Sequence, residues 1–423
     1  MNDFLKKYEE KALQLDSQDP LKKYRSQFAL PEDSNTIYLC NNSLGLPAIT
    51  AFTQMQEYMQ QWKEVGVEGW FQGKTNWYNS TDTLIKEPLS HLLGANVDEV
   101  AAMNSLTVNL HLLLVSFYQP SDVRFKILIE GPTFPSDLYA IKSHLMQHGL
   151  DPEKALIILE PRNNEHLLAE EDIKQVLVAE GDSIALIFLS SVNFLTGQVL
   201  DMESITKLAK EKGCIVGYDI AHATGNIPLQ LHKWGVDFAV GCSYKYLCSG
   251  PGGPGIAYVH ESHHYKQLPR LSGWWGNDPK TRFQMQLQQE FIPYGGASSW
   301  QVSTPSILAM APLIASLAIY EEAGINELRK KSEIQTAFLL ELLEIVPTCF
   351  FEIITPRNQK QRGAQLSLLI RNNSEECLRL LENKGVICDF RPPNIIRVTP
   401  SPLYNTFHEI YRFVCRFSEA LKE

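Results

Sequence analysis

Residues 215–259 read I-V-G-Y-D-I-A-H-A-T-G-N-I-P-L-Q-L-H-K-W-G-V-D-F-A-V-G-C-S-Y-K-Y-L-C-S-G-P-G-G-P-G-I-A-Y-V. Three apolar runs, 215–219, 238–241 and 256–259, are each strand-sized and are separated by polar, glycine-bearing turns. The first run ends on an acid, Asp219. The second runs into C-S-Y-K-Y-L, with Lys245 at its centre, and then into the glycine-rich S-G-P-G-G-P-G of residues 249–255. Working back along the chain, further strand candidates lie at 125–129, 155–159 and 184–189, with helical patterns such as 170–180 and 202–212 between them. Alternation of this kind predicts an α/β domain with a mostly parallel, seven-stranded type of sheet. The uninterrupted apolar run I-A-L-I-F-L at 184–189 suits a sheet covered on both faces. Such sheets bind ligands beyond the carboxyl ends of their strands, so the polar residues that follow the strands are where chemistry is expected.

Outward from this centre, Pro47 opens an amphipathic helix to about residue 66, after the turn N-N-S-L-G-L-P of residues 41–47 and a short strand at 37–40. A long apolar helix follows Pro305 and runs to about residue 323. Strands near 350–354, 365–369, 386–389 and 395–398, with helices near 375–383 and from residue 404, form a smaller α+β unit. The expected division is an N-terminal segment (1–60) packing with the small domain, a large ligand-binding domain (61–305) and a small C-terminal domain (306–423).

With 423 residues, the chain is long for a single core. A net charge of −10 and the absence of any basic block argue against a nucleic-acid partner. The apolar runs are strand-sized or broken by charge, and the charged N-terminus lacks a signal-peptide core, so neither membrane nor export is expected and the location read is cytoplasmic. Eight scattered cysteines, none in a C-x-x-C pair, read as reduced thiols, and no spacing suggests a metal site.

Five features carry chemistry. Lys245, at a strand end among small residues and tyrosines, suits Schiff-base chemistry with an aldehyde if burial lowers its pKa; alone it would read as a surface lysine. Asp219 suits an acid paired with a protonated ring nitrogen, with His222 three residues on; alone they read as a helix cap and a core histidine. N-S-L-T-V-N-L (104–110) is a polar turn opening a helix, where the Leu106 backbone and the Thr107 hydroxyl suit phosphate. In P-T-F-P-S-D (132–137), Phe134 suits stacking on a planar ring. In L-S-S-V-N-F-L-T-G (189–197), Ser190 or Asn193 suits contact with such a ring. Phosphate turn, aromatic, hydroxyl, acid and lysine thus follow one another at successive strand ends. That order points to pyridoxal phosphate and to the aspartate-aminotransferase fold type.

From about residue 38 to its end the chain resembles the kynureninases. The likeness rests on N-N-S-L-G-L-P, F-P-S-D-L-Y-A-I-K-S-H-L, D-I-A-H-A-T-G-N, H-K-W-G-V-D-F-A-V-G-C-S-Y-K-Y-L, G-W-W-G and R-V-T-P-S-P-L-Y-N-T-F. It implies a pyridoxal 5'-phosphate-dependent hydrolase that cleaves the Cβ–Cγ bond of kynurenine or 3-hydroxykynurenine in tryptophan degradation and NAD biosynthesis. Lys245 would carry the cofactor and then act as the base at Cα. Asp219 would pair with the pyridine nitrogen beside His222. Phe134 would stack on the ring, with Asp137 in the same turn. Leu106 and Thr107 would hold the phosphate, and Ser190 would be the matching serine. Tyr244 would donate to the phosphate and sit near the reacting centre. Arg397 would clamp the substrate carboxylate, and Ser43 would lie at the pocket mouth. Trp274 and Thr304 would reach the cofactor from the other subunit of a homodimer. The stretch E-G-W-F-Q-G-K-T-N-W-Y (68–78) would border the aromatic end of the substrate.

Two other readings compete. A cysteine desulfurase-like lyase needs a nucleophilic cysteine on the small domain, where Cys349, Cys377 and Cys388 lie; apolar context makes all three read as buried and inert. A non-catalytic homologue would be expected to have lost part of the set.

Overall fold

The structure, a computed structural model, describes residues 2–73, 77 and 80–422. In chain order the strands are β1 (Ile37–Tyr38), β2 (Val100–Ala102), β3 (Lys126–Glu130), β4 (Leu156–Leu159), β5 (Ile184–Ser190), β6 (Ile215–Asp219), β7 (Phe238–Cys242), β8 (Gly255–Val259), β9 (Phe351–Ile353), β10 (Leu366–Ile370), β11 (Val386–Ile387), β12 (Asp389–Arg391) and β13 (Ile395–Val398).

Seven of them form the central sheet in the order β2-β8-β7-β6-β5-β3-β4. β7, β6, β5, β3 and β4 run parallel, while β8 is antiparallel to β7 and β2 to β8. All seven residues of β5 are buried, as a strand covered on both faces requires. Helices such as Met202–Glu211, with a buried face of Met202, Ile205, Thr206 and Ala209, supply that cover. Register then aligns the chemistry. Ser190 at the end of β5 sits opposite Asp219 at the end of β6, and Asp219 sits opposite Val240 of β7, five residues before Lys245.

A second, antiparallel sheet runs β12-β13-β10-β9. The run expected as one strand at 386–389 is instead split. Val386–Ile387 pairs in parallel with Ile37–Tyr38, whereas Asp389–Arg391 joins the antiparallel sheet opposite β13. The chain changes partner at Cys388, which puts Asp389 directly across from Arg397. The helix Asn2–Gln18 packs on the last helix, Phe407–Ala420, and the Asp16 carboxylate accepts the free amides of Phe407 (2.6 Å) and His408 (3.0 Å) at that helix's N-terminus. The apolar side chains of Ile307–Ala323 pack into the core of the large sheet, with Tyr24, Phe28 and Tyr58. No single helix among the described residues is long and apolar enough to cross a membrane.

Candidate active site

The carboxyl ends of β3, β5, β6 and β7 meet the N-termini of two helices, Leu106–Phe117 and Pro135–Gln147. Lys245 follows β7 in a half-buried turn, its Nζ 5.8 Å from the Phe134 ring centroid and 6.0 Å from that of Tyr244. The turn 41–47 is packed against it. The Gly45 amide donates to the Tyr244 carbonyl at 3.0 Å, and a Cβ on Gly45 would fall 2.5 Å from the Lys245 carbonyl and 2.4 Å from Cys248 Sγ. Only glycine lets these two backbones approach so closely. The same turn brings half-buried Ser43 near the site.

Asp219 is buried at the end of β6, and its Oδ1 accepts the Ala221 amide at 2.7 Å. Asp137, on the first turn of the second helix, is fully buried, and neither of its oxygens meets a donor among the described residues. Burial raises both carboxyls. Asp137 is pushed well above the ordinary range, by burial and then by the charge of Asp219. Asp219 is offset by the Lys245 ammonium and the Ala221 amide. The two acids beside one ammonium therefore differ in degree: Asp137 is held up further than Asp219, whose charged form the Lys245 ammonium and the Ala221 amide favour. His222 is buried and held neutral, first by burial and then by the positive charges of Lys245, Arg397 and Arg391. Its Nδ1 has no partner among the described residues.

Thr107, in the first turn of Leu106–Phe117, places Oγ1 2.8 Å from Ser136 Oγ, in the first turn of Pro135–Gln147. Two helix N-termini and two hydroxyls thus converge, the arrangement that binds a phosphate group. Gly255 allows the close packing here, since a Cβ would lie 2.7–2.9 Å from Asn109, Ser105 and Met103. Phe134 caps the second helix, and its ring meets that of Phe194 edge-on at 5.4 Å. Ser190 is buried, its amide donating to Glu130 Oε2 at 3.0 Å, and Asn193 Nδ2 donates to the Pro132 carbonyl at 3.0 Å. Burial raises the Tyr244 hydroxyl, so it is a proton donor at neutral pH.

Arg397, only 1% exposed, reaches the same region from β13. Its Nε lies 2.7 Å from Asp389 Oδ1, and its Nη1 donates to the Phe194 carbonyl at 2.5 Å. Arg391 also binds Asp389, at 2.8 and 3.1 Å. One carboxylate serves two guanidiniums, which leaves a net positive charge suited to an anionic ligand. The small sheet grips the loop beyond β5 further: Gln365 Nε2 donates to the Phe194 carbonyl (3.0 Å), Ser367 Oγ to that of Leu195 (2.6 Å) and Thr355 Oγ1 to that of Thr196 (2.6 Å).

Lys245, Tyr244, Asp219, His222, Asp137, Phe134, Thr107, Leu106, Ser190, Ser43 and Arg397 thus gather around the same strand ends. Among the described residues, no contact links Trp274 or Thr304 to this set. The ring neighbours of Trp274 are Trp275 (4.9 Å) and Phe283 (6.0 Å), and Thr304 lies half-buried between the 3-10 turn Ala297–Trp300 and the helix Ile307–Ala323. Of the stretch 68–78, residues 74–76 and 78 lie outside the described residues. Trp70 and Trp77 line an apolar groove of about 440 Å³ with Tyr58, Trp62, Ile307 and Leu308. The cysteine reading needs one correction: Cys377 is buried and Cys388 half-buried, but Cys349 is exposed, because it sits in the turn before β9 and not in the strand.

Glu130, Ser136, Phe194, Asp389 and Arg391 escaped the sequence reading. Asp389 and Arg391 carried a signal, since opposite charges two apart on a strand share a face. Glu130 and Phe194 carried none, because their partners lie on other strands.

A family profile described as "Kynureninase C-terminal domain" matches residues 328–417. The chain is 48% identical over 407 residues to a protein named kynureninase from Myxococcus xanthus, covering 95% of each. It is 47% identical to that of Koribacter versatilis, with 96% of each covered, and 42% identical to that of Mus musculus, covering 95% of this chain and 91% of the relative. Among solved structures it is similar to a cysteine desulfurase from Thermococcus onnurineus (TM-score 0.76, 18% identity, covering 95% of this chain and 98% of that one). It also resembles a C-DES mutant with glycine covalently linked to the PLP-cofactor (TM-score 0.79, 17% identity, 93% and 99% covered). At that identity these two show the fold alone, the α/β fold of pyridoxal phosphate enzymes, whereas likeness above 40% along nearly the whole chain decides the family. The chain belongs to the kynureninase family of pyridoxal-phosphate-dependent hydrolases that act on carbon–carbon bonds.

Proposed function

We propose that this protein hydrolyses the Cβ–Cγ bond of L-kynurenine, or of its 3-hydroxy form, to anthranilate or 3-hydroxyanthranilate and L-alanine, with the residues gathered around Lys245 as its machinery. The observation that carries this reading is the full-length likeness to proteins named kynureninase. The residues fit pyridoxal 5'-phosphate: an unpaired buried His222 Nδ1, a charged Asp219, two hydroxyls at helix N-termini and an aromatic face beside an amine. When bound, that cofactor supplies an electron-poor ring that stores the electron pair released at the substrate's α-carbon.

The chain's own residues do the rest. Lys245 holds the cofactor, then takes and returns the proton at Cα. Asp219 holds the ring nitrogen's proton, and Leu106, Thr107 and Ser136 hold the phosphate. Arg397, fixed by Asp389 and the Phe194 carbonyl, binds the α-carboxylate and so orients Cα toward Lys245. Tyr244 gives a proton to the γ-carbonyl oxygen as water adds. Ser43 lines the mouth. Trp274 and Thr304 complete the site of a second copy in a homodimer.

The test supplies L-kynurenine to cofactor-loaded protein and follows anthranilate and alanine together. Equal release of both is expected; release of neither, with the cofactor bound, would overturn the assignment. Exposed Cys349 favours a second reading, cysteine desulfuration, so sulfide release from cysteine is measured alongside and none is expected.

A further inference from the structure

Glu130 has no part in the chemistry above, yet it is buried in its midst. It ends β3 at 2% exposure. One oxygen, Oε2, accepts the Ser190 amide at 3.0 Å, while Oε1 meets no donor among the described residues. A buried carboxylate oxygen without a donor is costly unless a proton or water satisfies it.

Glu130 also lines a narrow cleft of about 10 Å³, room for about one water, with Pro132, His166, Asn193, Thr196 and Gln198. Leu168 and Leu200 line the cleft as well, and its outer member His166 is exposed and lies 3.5 Å from Glu352. The charges around Glu130 come from every neighbouring element. Ser190 on β5 offers its amide and hydroxyl, Asp219 lies at the end of β6, Asp137 on the helix Pro135–Gln147, Glu160 just past β4 against Gly131, and His166 in the cleft. The Lys245 ammonium is the cation that acts on the two aspartates. Acids outnumber bases here, and Glu130 is the one acid that lines the cleft.

We propose that Glu130 is a positioning residue through which pH acts on this site: water in the cleft exchanges a proton with Oε1, and the charge gained or lost acts on Asp219 and Asp137. This rests on the reading of those residues as the cofactor site. Burial holds the Glu130 carboxyl up at about 7, against the pull of Ser190, so the exchange falls in the neutral range. Ionised Glu130 opposes a second negative charge on Asp137 and favours a positive charge on a bound ring.

The test compares wild type with Glu130→Gln, whose amide oxygen still accepts the Ser190 amide. In cofactor-free protein, infrared difference spectra between about pH 6 and about pH 8 should show a protonated carboxyl lost from wild type and missing from Glu130→Gln. In cofactor-loaded protein, the pH midpoint of the visible band should move in the variant by about half a unit or more. Far-ultraviolet circular dichroism confirms that both are folded, and Glu130→Asp, which keeps the acid, should keep a titrating carboxyl. Identical infrared titrations in wild type and Glu130→Gln would overturn the exchange. A Glu130-specific titration with an unmoved midpoint would overturn its action on the aspartates. The cofactor-free readout does not depend on the substrate, so its failure is distinct from a failure of the kynureninase assay.

Discussion

Asp389 and Arg397 stand opposite each other on adjacent antiparallel strands, with Asp389 Oδ1 2.7 Å from both Nε and Nη2 of the guanidinium. The Phe194 carbonyl takes Nη1. Three of the donors are thereby committed to protein, which fixes the plane of the guanidinium and leaves the remaining donors for a carboxylate. Burial works against this charge, and Asp389 restores it.

Asp389→Asn should therefore weaken substrate binding without removing a group that touches the substrate. Losing one buried charge-assisted bond is worth about 1.5–3 kcal/mol, a roughly 10- to 100-fold loss. The loss should fall mainly on KM, and Arg397→Lys should fare worse, since an ammonium cannot reproduce a planar fork. Steady-state kinetics with kynurenine separate the two, and an unchanged KM in Asp389→Asn would show that Arg397 needs no such support.

Lys245→Ala should abolish both turnover and the visible absorbance of the bound cofactor. A persisting band would place the cofactor on another lysine.

The two buried aspartates should respond differently to amide substitution. Asp137 is held further above the ordinary carboxylate range than Asp219, so Asp137→Asn should change the site's charge less and cost about 10-fold or less in kcat/KM. Asp219→Asn removes the charge opposite the ring nitrogen and should cost roughly 100-fold or more. Equal losses would mean that the two acids do not differ in this way.

Gly45→Ala should disturb the Lys245 turn, because the new methyl group meets the Lys245 carbonyl and the Cys248 backbone, neither of which can swing away. Cofactor occupancy should fall several-fold at fixed pyridoxal phosphate, read from the ratio of visible to protein absorbance. Full occupancy would show that the 41–47 turn can retreat at little cost.

Acid stability should depend on Asp237, away from the site. Its buried carboxylate lies 2.6 Å from Lys210 Nζ and 2.7 Å from His263 Nε2, and accepts the Val216 amide at 2.8 Å. Together these contacts outweigh burial and hold it below the usual carboxylate range. Its folded pKa is lower than its unfolded one, so the unfolded chain binds the proton more readily. The stabilisation is complete above the unfolded pKa of about 3.9 and is lost as pH falls through the folded value. Asp237→Asn should cost about 3 kcal/mol at neutral pH, and the gap from wild type should narrow in acid. Urea unfolding at about pH 7 and about pH 3.5 measures it, and a gap independent of pH would exclude the ion pairs as its source.

Local sequence determined the strands that build the central sheet, because runs such as I-A-L-I-F-L at 184–189 are apolar along their whole length and fit little else. It also marked Lys245, Asp219, Phe134, Thr107 and Ser190, since each sits where a strand ends or a helix begins and such ends leave polar groups free. Arg397 and Ser43 were legible only through resemblance to a family, their place beside Lys245 being set by contacts between residues hundreds of positions apart. The tertiary structure alone decided the rest. The split at Cys388 depends on which sheet each half can join, and that places Asp389 against Arg397. The difference between Asp137 and Asp219, and the buried Glu130 beside them, arise because parallel register brings three strand ends and a helix start to one place. A carboxylate in a sequence carries no sign of its desolvation or of the other charges near it; these exist only once the chain has folded and excluded water from around them.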